Sequence, residues 1–400
     1  NEILMEVGSK GDQALFSYTE KFEKAKLKDL RTSPEEISAA YAAVDQKLLS
    51  ALERAAENIL TFHYEQKEHD LWLSEISLGV VVGQKTVPLE SVGAYVPGGL
   101  ASYPSSALMN IIPAKVAGVP RVVICTPPKS DGSVMPATLV AADLAGADEI
   151  YKLGGAQAIA AMAFGTESIA RVNKIVGPGN IYVTAAKMLV RGTVEIDFPA
   201  GPSEVLIIAD RYADPGILAS DMIAQGEHDP HSMAVLVTWD ELLANAVAEE
   251  LQIQAEIAER NDIISQSLGH SAILIAEDAV EAVEFANVFA PEHLEIVTSD
   301  PMLILKEIRH AGSVFLGPFT PVAAGDYASG TNHVLPTSGF ARLFSGLNID
   351  HFTKKITVQI IDDQGLADLG ETIITLAEAE GLKAHAESVK RRLDLSKHAL

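Results

Sequence analysis

The sequence predicts an α/β fold: two doubly wound parallel-sheet units in series, followed by a small helical C-terminal tail. Three observations carry that prediction. Strand-length apolar runs such as Arg121–Thr126 (RVVICT), 205–209 (VLIIA) and Met233–Thr238 (MAVLVT) are continuous rather than alternating, as in strands covered on both faces. Helix-length segments separate them, and the series restarts after residue 203. A chain of 400 residues also exceeds one ordinary domain and can bury more than one core.

In chain order, residues 11–70 read as helices, with apolar side chains three or four apart at Leu48, Leu49, Leu52, Ala55 and Ile59. After Gly79 the pattern changes. The strand at 121–126 is followed by a helix over 137–145, a strand over 149–153, a helix over 156–164, a strand over 174–176, a helix over 181–190 and a strand over 194–198. The second series places strands at 205–209, 233–238, 272–276, 294–298 and 313–316. From Asn348 the chain reads as helical and charged, too short to stand alone, so it should dock on its own body or on a second subunit. The expected divisions are 1–92, with the N-terminal helices and the start of the first α/β domain; 93–203, the first sheet; 204–347, the remaining α/β portion with most of the polar clusters; and 348–400, the tail.

A composition of 48% hydrophobic and 21% charged residues excludes a disordered, collagen-like or coiled-coil chain. The net charge of −24 argues against nucleic acid or an anionic membrane as partner. It does not argue against a small anionic cofactor, which feels local dipoles. The one cysteine, Cys125, permits neither an internal disulfide nor a cysteine-rich metal cluster, and inside RVVICT it reads as an inert small hydrophobe. The most apolar stretch, 107–125, is broken by Lys115, Arg121 and two prolines, and the opening Asn1–Glu6 lacks the basic and apolar regions of a signal peptide. The expectation is a soluble cytoplasmic protein.

Four polar clusters stand out. Gln225 and His228, in QGEHDPH, share a face if they lie on a last helical turn, and an amide oxygen with an imidazole suits a borderline cation such as zinc; equally, His228 could cap helix carbonyls. Glu292 and His293, in APEHLE, stand at a helix–strand junction and offer two proton acceptors of different strength, or a turn with solvated charges. The loop GDYASGTNHVLP carries Asp326, a hard oxygen ligand or an Asx-turn cap, and His333. Of the glycine-rich segments at 93–99, 154–157 and 177–180, the last two join a strand to a helix and suit a pyrophosphate there, or are tight βα turns, and none of the three fits G-x-G-x-x-G.

Together these segments resemble the histidinol dehydrogenase family from about Gly11 to the C-terminus. The resemblance is densest at GAYVPGG (93–99), GGAQAIAAMAFG (154–165), VGPGNIYVTAAK (176–187), DFPAGPSEVL (197–206), APEHLE (290–295), GDYASGTNHVLPT (325–337) and EGLKAH (380–385). It implies incomplete Rossmann-like sheets, an NAD site within 93–203, a metal and substrate site within 204–347, and a homodimer that exchanges its tails. The implied zinc ligands are Gln225, His228 and Asp326 of one subunit with His385 from the tail of the other. His293 matches the general base and Glu292 the residue that activates water. Ser203, His333 and Glu380 match contacts to a substrate also held by the metal ligands and His293, and Tyr95, Gln157 and Asn180 match positions that contact NAD. The implied reaction is the four-electron oxidation of histidinol to histidine through histidinal with two NAD+. With no available cysteine, a thiohemiacetal is excluded and the aldehyde is expected to react as its hydrate. A paralogue acting on another small polyol, such as a sulfonated propanediol, is the nearest alternative, disfavoured by Ser203, Glu380 and His385. A zinc hydrolase or lyase would share the ligands without a redox step.

Overall fold

The computed structural model describes residues 1–98, 102–198 and 201–398, the side chains of 395–398 excepted. Gly99 of the first glycine-rich block and Pro199 and Ala200 of DFPAGPSEVL lie outside the described residues. The chain forms two compact units, one of Asn1–Gln66 with Leu89–Phe352, the other of Lys67–Pro88 with the chain from Thr353. Its strands are β1 (Leu71–Ser77), β2 (Val80–Pro88), β3 (Ser91–Tyr95), β4 (Arg121–Thr126), β5 (Glu149–Lys152), β6 (Lys174–Val176), β7 (Glu195–Ile196), β8 (Glu204–Ala209), β9 (Met233–Thr238), β10 (Ala272–Ile275), β11 (His293–Val297), β12 (Ser313–Leu316) and β13 (Thr353–Ile361).

The first unit holds both expected parallel sheets, in the orders β5-β4-β3-β6-β7 and β10-β9-β8-β11-β12. Counted from its own first strand, each runs 3-2-1-4-5, the doubly wound dinucleotide-binding order without its sixth strand. Each sheet is covered on both faces. Val92, Ala94 and Ile124 pack against the helices Pro104–Val116 and Pro136–Leu144, while Tyr95, Val123 and Cys125 pack against the helix Gly155–Phe164. In the second sheet Val205 and Ile207 face the helices Pro215–Gly226 and Glu241–Ile257, and Leu206 and Ile208 face Ala279–Phe289. Two-sided burial is why these strands read as unbroken apolar runs. The N-terminal helices join the first half: Leu4, Val7 and Leu15 enter one core layer, Leu52, Ala55 and Ile59 the other. The helix Pro34–Ala43 starts on a Ser33–Glu36 capping box, and Glu36 also pairs with Lys152 at the end of β5.

Three elements differ from the sequence reading. The stretch from Asn348 is not purely helical: β13 pairs antiparallel with β2, which pairs with β1, in a three-stranded sheet of the second unit. The helices Asp363–Ala379 and Lys383–His398 follow. The hairpin β1–β2 and the strand β13 carry none of the continuous burial that marks the central strands β3, β4, β6, β8, β9 and β11; β1 is exposed along its whole length. β3, with Gly93 at its centre, reads from sequence as a glycine-rich loop because a mid-strand glycine weakens the strand signal. Among the described residues no helix is long and apolar enough to cross a membrane.

Candidate active site

Ala290 ends the helix Ala279–Phe289 in the left-handed conformation, φ 54°, and Pro291 prevents the helix from resuming. The chain is thereby turned so that Glu292 and His293 reach the amino end of β11, between Val205 of β8 and Ser313 of β12. Left-handed backbone at a buried alanine costs about 1–2 kcal/mol, a strain characteristic of functional sites.

Both side chains are buried and tied to the amino end of β8. Glu292 Oε2 accepts the Ser203 hydroxyl at 2.6 Å and the Glu204 amide at 2.9 Å. His293 Nδ1 lies 3.0 Å from the Glu204 carbonyl and 3.5 Å from Glu292 Oε2. A carbonyl only accepts, so Nδ1 carries a proton, and in the neutral ring Nε2 is the acceptor. That Nε2 is buried, has no hydrogen-bond partner among the described residues, and lies 3.9 Å from Asp326 Oδ1. Burial pushes the Glu292 carboxyl up, against the opposing pull of His293 and the Ser203 and Glu204 hydrogen bonds. The Glu204 carboxyl rises to about 7, first through burial and then through the charge of Glu292.

Asp326 sits on the helix Val322–Tyr327, and its backbone carbonyl accepts His333 Nδ1 at 2.9 Å. His333 Nε2 lies 3.4 Å from the Ser106 hydroxyl on the helix Pro104–Val116, so this ring bridges the two α/β halves. Burial lowers its pKa; Asp326, His293 and His228 all act on it electrostatically, so the four groups share one field. The loop between them is fixed from the first half. Asn332 donates to the Met109 carbonyl at 2.7 Å, Asn58 donates to that of Ala328 at 2.6 Å, and Gly330, at φ 102°, passes so close to Asn58 that a Cβ would stand 2.5 Å from its carbonyl oxygen.

Gln225 is buried on the last turn of Pro215–Gly226, with its Nε2 unpartnered among the described residues. His228 lies just beyond the helix, its amide returning to the Gln225 carbonyl at 3.4 Å. Glu380 and His385 belong to the second unit, where Glu380 caps the helix Asp363–Ala379 and His385 lies on the first turn of Lys383–His398; both are exposed. Among the described residues no three His, Cys, Asp or Glu side chains converge closely enough to hold a metal ion by themselves.

The remaining sequence candidates gather at the carboxyl end of the first sheet. Tyr95 ends β3 and its hydroxyl accepts the Gly155 amide at 3.1 Å. Gln157, buried on the first turn after β5, donates to Glu23 Oε1 at 3.3 Å. Asn180 caps the helix Ile181–Val190 by accepting the Tyr182 and Val183 amides. Sequence reasoning missed Glu204, Ser106 and Asn58. Glu204 touches the site through its backbone amide and carbonyl, which every residue type has, while Ser106 and Asn58 lie outside every quoted block.

The family model for histidinol dehydrogenase matches residues 1–393. A histidinol dehydrogenase of Methanosarcina barkeri is 56% identical over 390 residues, covering 98% of this chain and 90% of that protein. One from Methanocaldococcus jannaschii is 54% identical, covering 98% and 91%. The crystal structure of histidinol dehydrogenase from Elizabethkingia anophelis superposes with a TM-score of 0.97 at 44% identity, covering 99% of this chain and 92% of that one.

Proposed function

Because the chain belongs to the histidinol dehydrogenase family, dehydrogenases of histidine biosynthesis, we propose that it oxidises L-histidinol through L-histidinal to L-histidine with two NAD+. The site would hold a zinc ion in each subunit and be completed by a second copy of the chain. The observation that carries the reading is the His293 ring, whose Nδ1 is committed to the Glu204 carbonyl while Nε2 stays a buried acceptor without a partner among the described residues.

The residues suit both groups. For a dinucleotide, backbone must approach the ligand without side chains between. At the carboxyl end of the first sheet a Cβ on Gly154 would stand 2.7 Å from Pro127 Cβ, and one on Gly177 2.2 Å from the Tyr95 carbonyl oxygen. For zinc, the donor set is chemically apt: the Gln225 amide oxygen, the His228 imidazole and the Asp326 carboxylate, with His385 of the partner subunit as fourth ligand. Bound NAD supplies the hydride acceptor, and bound zinc supplies a grip on the substrate's amine and imidazole.

His293 Nε2 accepts the alcohol proton as hydride leaves the carbinol carbon. Glu292, its carboxyl raised by burial, takes a proton from the water whose oxygen bonds the aldehyde carbon, while His293 passes the proton it took from the alcohol to the carbonyl oxygen, so that the neutral hydrate forms. His293, having released its first proton, accepts a second from the hydrate as the second hydride leaves. His333, Ser203 and Glu380 of the partner subunit orient the substrate. Cys125 offers no thiolate to this sequence of steps: it is buried in β4 and burial raises its pKa. A reducing, cytoplasmic setting is part of the same reading.

The second copy is supported by the exposed apolar residues Leu71, Trp72, Leu73 and Ile76 on β1, which a lone chain leaves in water. The test is a nicotinamide absorbance assay with histidinol and NAD+, before and after a chelator. Activity that falls with chelation and returns with Zn2+ supports the reading; no NADH from the metal-loaded enzyme sinks it. For the shared site, His228→Asn and His385→Asn chains are unfolded and re-paired. Verified heterodimers that regain activity support it, and inactive heterodimers reject the partner ligand.

A further inference from the structure

We propose that Lys187 and Asp197, a buried ion pair in the first α/β half, are positioning residues that hold the Gly177 peptide in the shape needed by the pyrophosphate of NAD. The inference rests on the NAD reading above and extends it to two residues outside the expected cofactor contacts.

Gly177 follows β6 directly, at the switch point between β3 and β6 where doubly wound sheets take their ligands. Its φ is +109°, and a Cβ there would collide with the Tyr95 carbonyl oxygen, so neither a side chain nor ordinary strand geometry can hold it. It is held by side chains instead. Lys187, on the helix Ile181–Val190, donates from Nζ to the Gly177 carbonyl at 2.9 Å. Asp197, just after β7, accepts the Gly177 amide on Oδ2 at 2.8 Å, and its Oδ1 meets Lys187 Nζ. The side chains are 8% and 2% exposed. Lys174, buried at the start of β6, adds a second cation to the field of Asp197.

Burying such a pair costs several kcal/mol per ion, and apolar residues of similar volume often serve stability as well. What apolar residues cannot do is fix the amide and carbonyl of one glycine at once. That glycine begins Gly177-Pro-Gly-Asn180, which leads into the helix whose cap, Asn180, satisfies Tyr182 and Val183. The amides of Gly179, Asn180 and Ile181 have no acceptor among the described residues, so they remain for an anion at the positive end of the helix dipole. Rotation of the Gly177 peptide would redirect all three.

The probe is NADH, titrated by its fluorescence into the dimeric, metal-loaded enzyme. Lys187→Met removes the donor and keeps the side-chain length. It should weaken NADH binding by about tenfold or more and raise KM for NAD+ to match, while KM for histidinol and kcat at saturating NAD+ stay near wild type. Lys187→Arg, which keeps charge and donor, should recover most of the affinity. A pair that only stabilised the fold would lower the melting temperature without this split between the two substrates. Should Lys187→Met not fold, Asp197→Asn is read in the same way. NADH affinity at the wild-type level in either folded variant overturns the proposal and leaves the NAD reading standing. A wild-type enzyme that takes up no NADH overturns both.

Discussion

The two α/β halves share one strand order and use opposite edges of it. In the first half Tyr95, Gln157 and Asn180 stand at the carboxyl ends of β3, β5 and β6, where bare backbone and a helix start can meet an anionic ligand. In the second half Ser203, Glu292, His293 and His228 stand at the amino ends of β8, β11 and β9. The carboxyl edge there is closed by Asp210, which accepts the Tyr212 and Ser299 amides and ties the end of β8 to the chain leaving β11. A carboxyl edge offers unused N–H groups, which suit phosphates. The amino edge of a parallel strand supplies an amide and a carbonyl that can lock side chains, and Glu204 uses both, its amide on Glu292 and its carbonyl on His293. On the proposed reading, one topology thus serves recognition in one half and proton transfer in the other.

Four experiments separate or break these roles. The largest effect is expected from His293→Asn, which removes the acceptor at the amino edge of β11. It should lower kcat by about 10³-fold and leave NADH binding at the opposite edge of the other sheet unchanged. A parallel loss of NADH affinity would mean the edges are not independent. Next is Glu292→Gln, which should slow oxidation of histidinal by about 100-fold and that of histidinol much less. Equal losses in the two half-reactions, assayed separately, would remove Glu292 from water activation.

How much of this division was legible in the sequence depends on burial. β4, β6 and β9 are buried almost throughout and match the expected runs residue for residue, as does the half-buried edge strand β12, whereas β8 and β11 each begin one residue earlier than expected. That single residue matters: it turns His293 from a neighbour of a strand into its first member, paired with Val205. β1 and β13 lie exposed and so lack a continuous apolar run, although β13 is rich in β-branched residues that favour a strand. Motif spacing brought Glu292, His293, Asp326 and His333 to notice as residue types. It could not say which edge they occupy, because spacing carries no register. Lys187 and Asp197 lie inside noticed blocks, yet nothing in either block reveals that they meet on Gly177.

A smaller effect concerns pH. Glu204 keeps its proton in the folded state up to about 7, whereas an unfolded glutamate loses it near 4.5. The folded state therefore binds more protons in that window, and stability should fall as pH rises from about 4.5 to 7, by roughly 3 kcal/mol for this group. Glu204→Gln should flatten that slope in denaturant unfolding; an identical slope would show that Glu204 ionises normally in the fold. The smallest effect is expected of Cys125→Ala, buried in the middle of the first half. Both half-reactions should continue within about threefold of wild type, and selective loss of the aldehyde step would restore a thiol route.

The most direct measurement counts NADH formed per histidinol consumed by the metal-loaded enzyme, with the product identified. A shared base at His293 and water delivery at Glu292 predict two NADH and histidine, with no free aldehyde accumulating. One NADH with histidinal as the end product would contradict it.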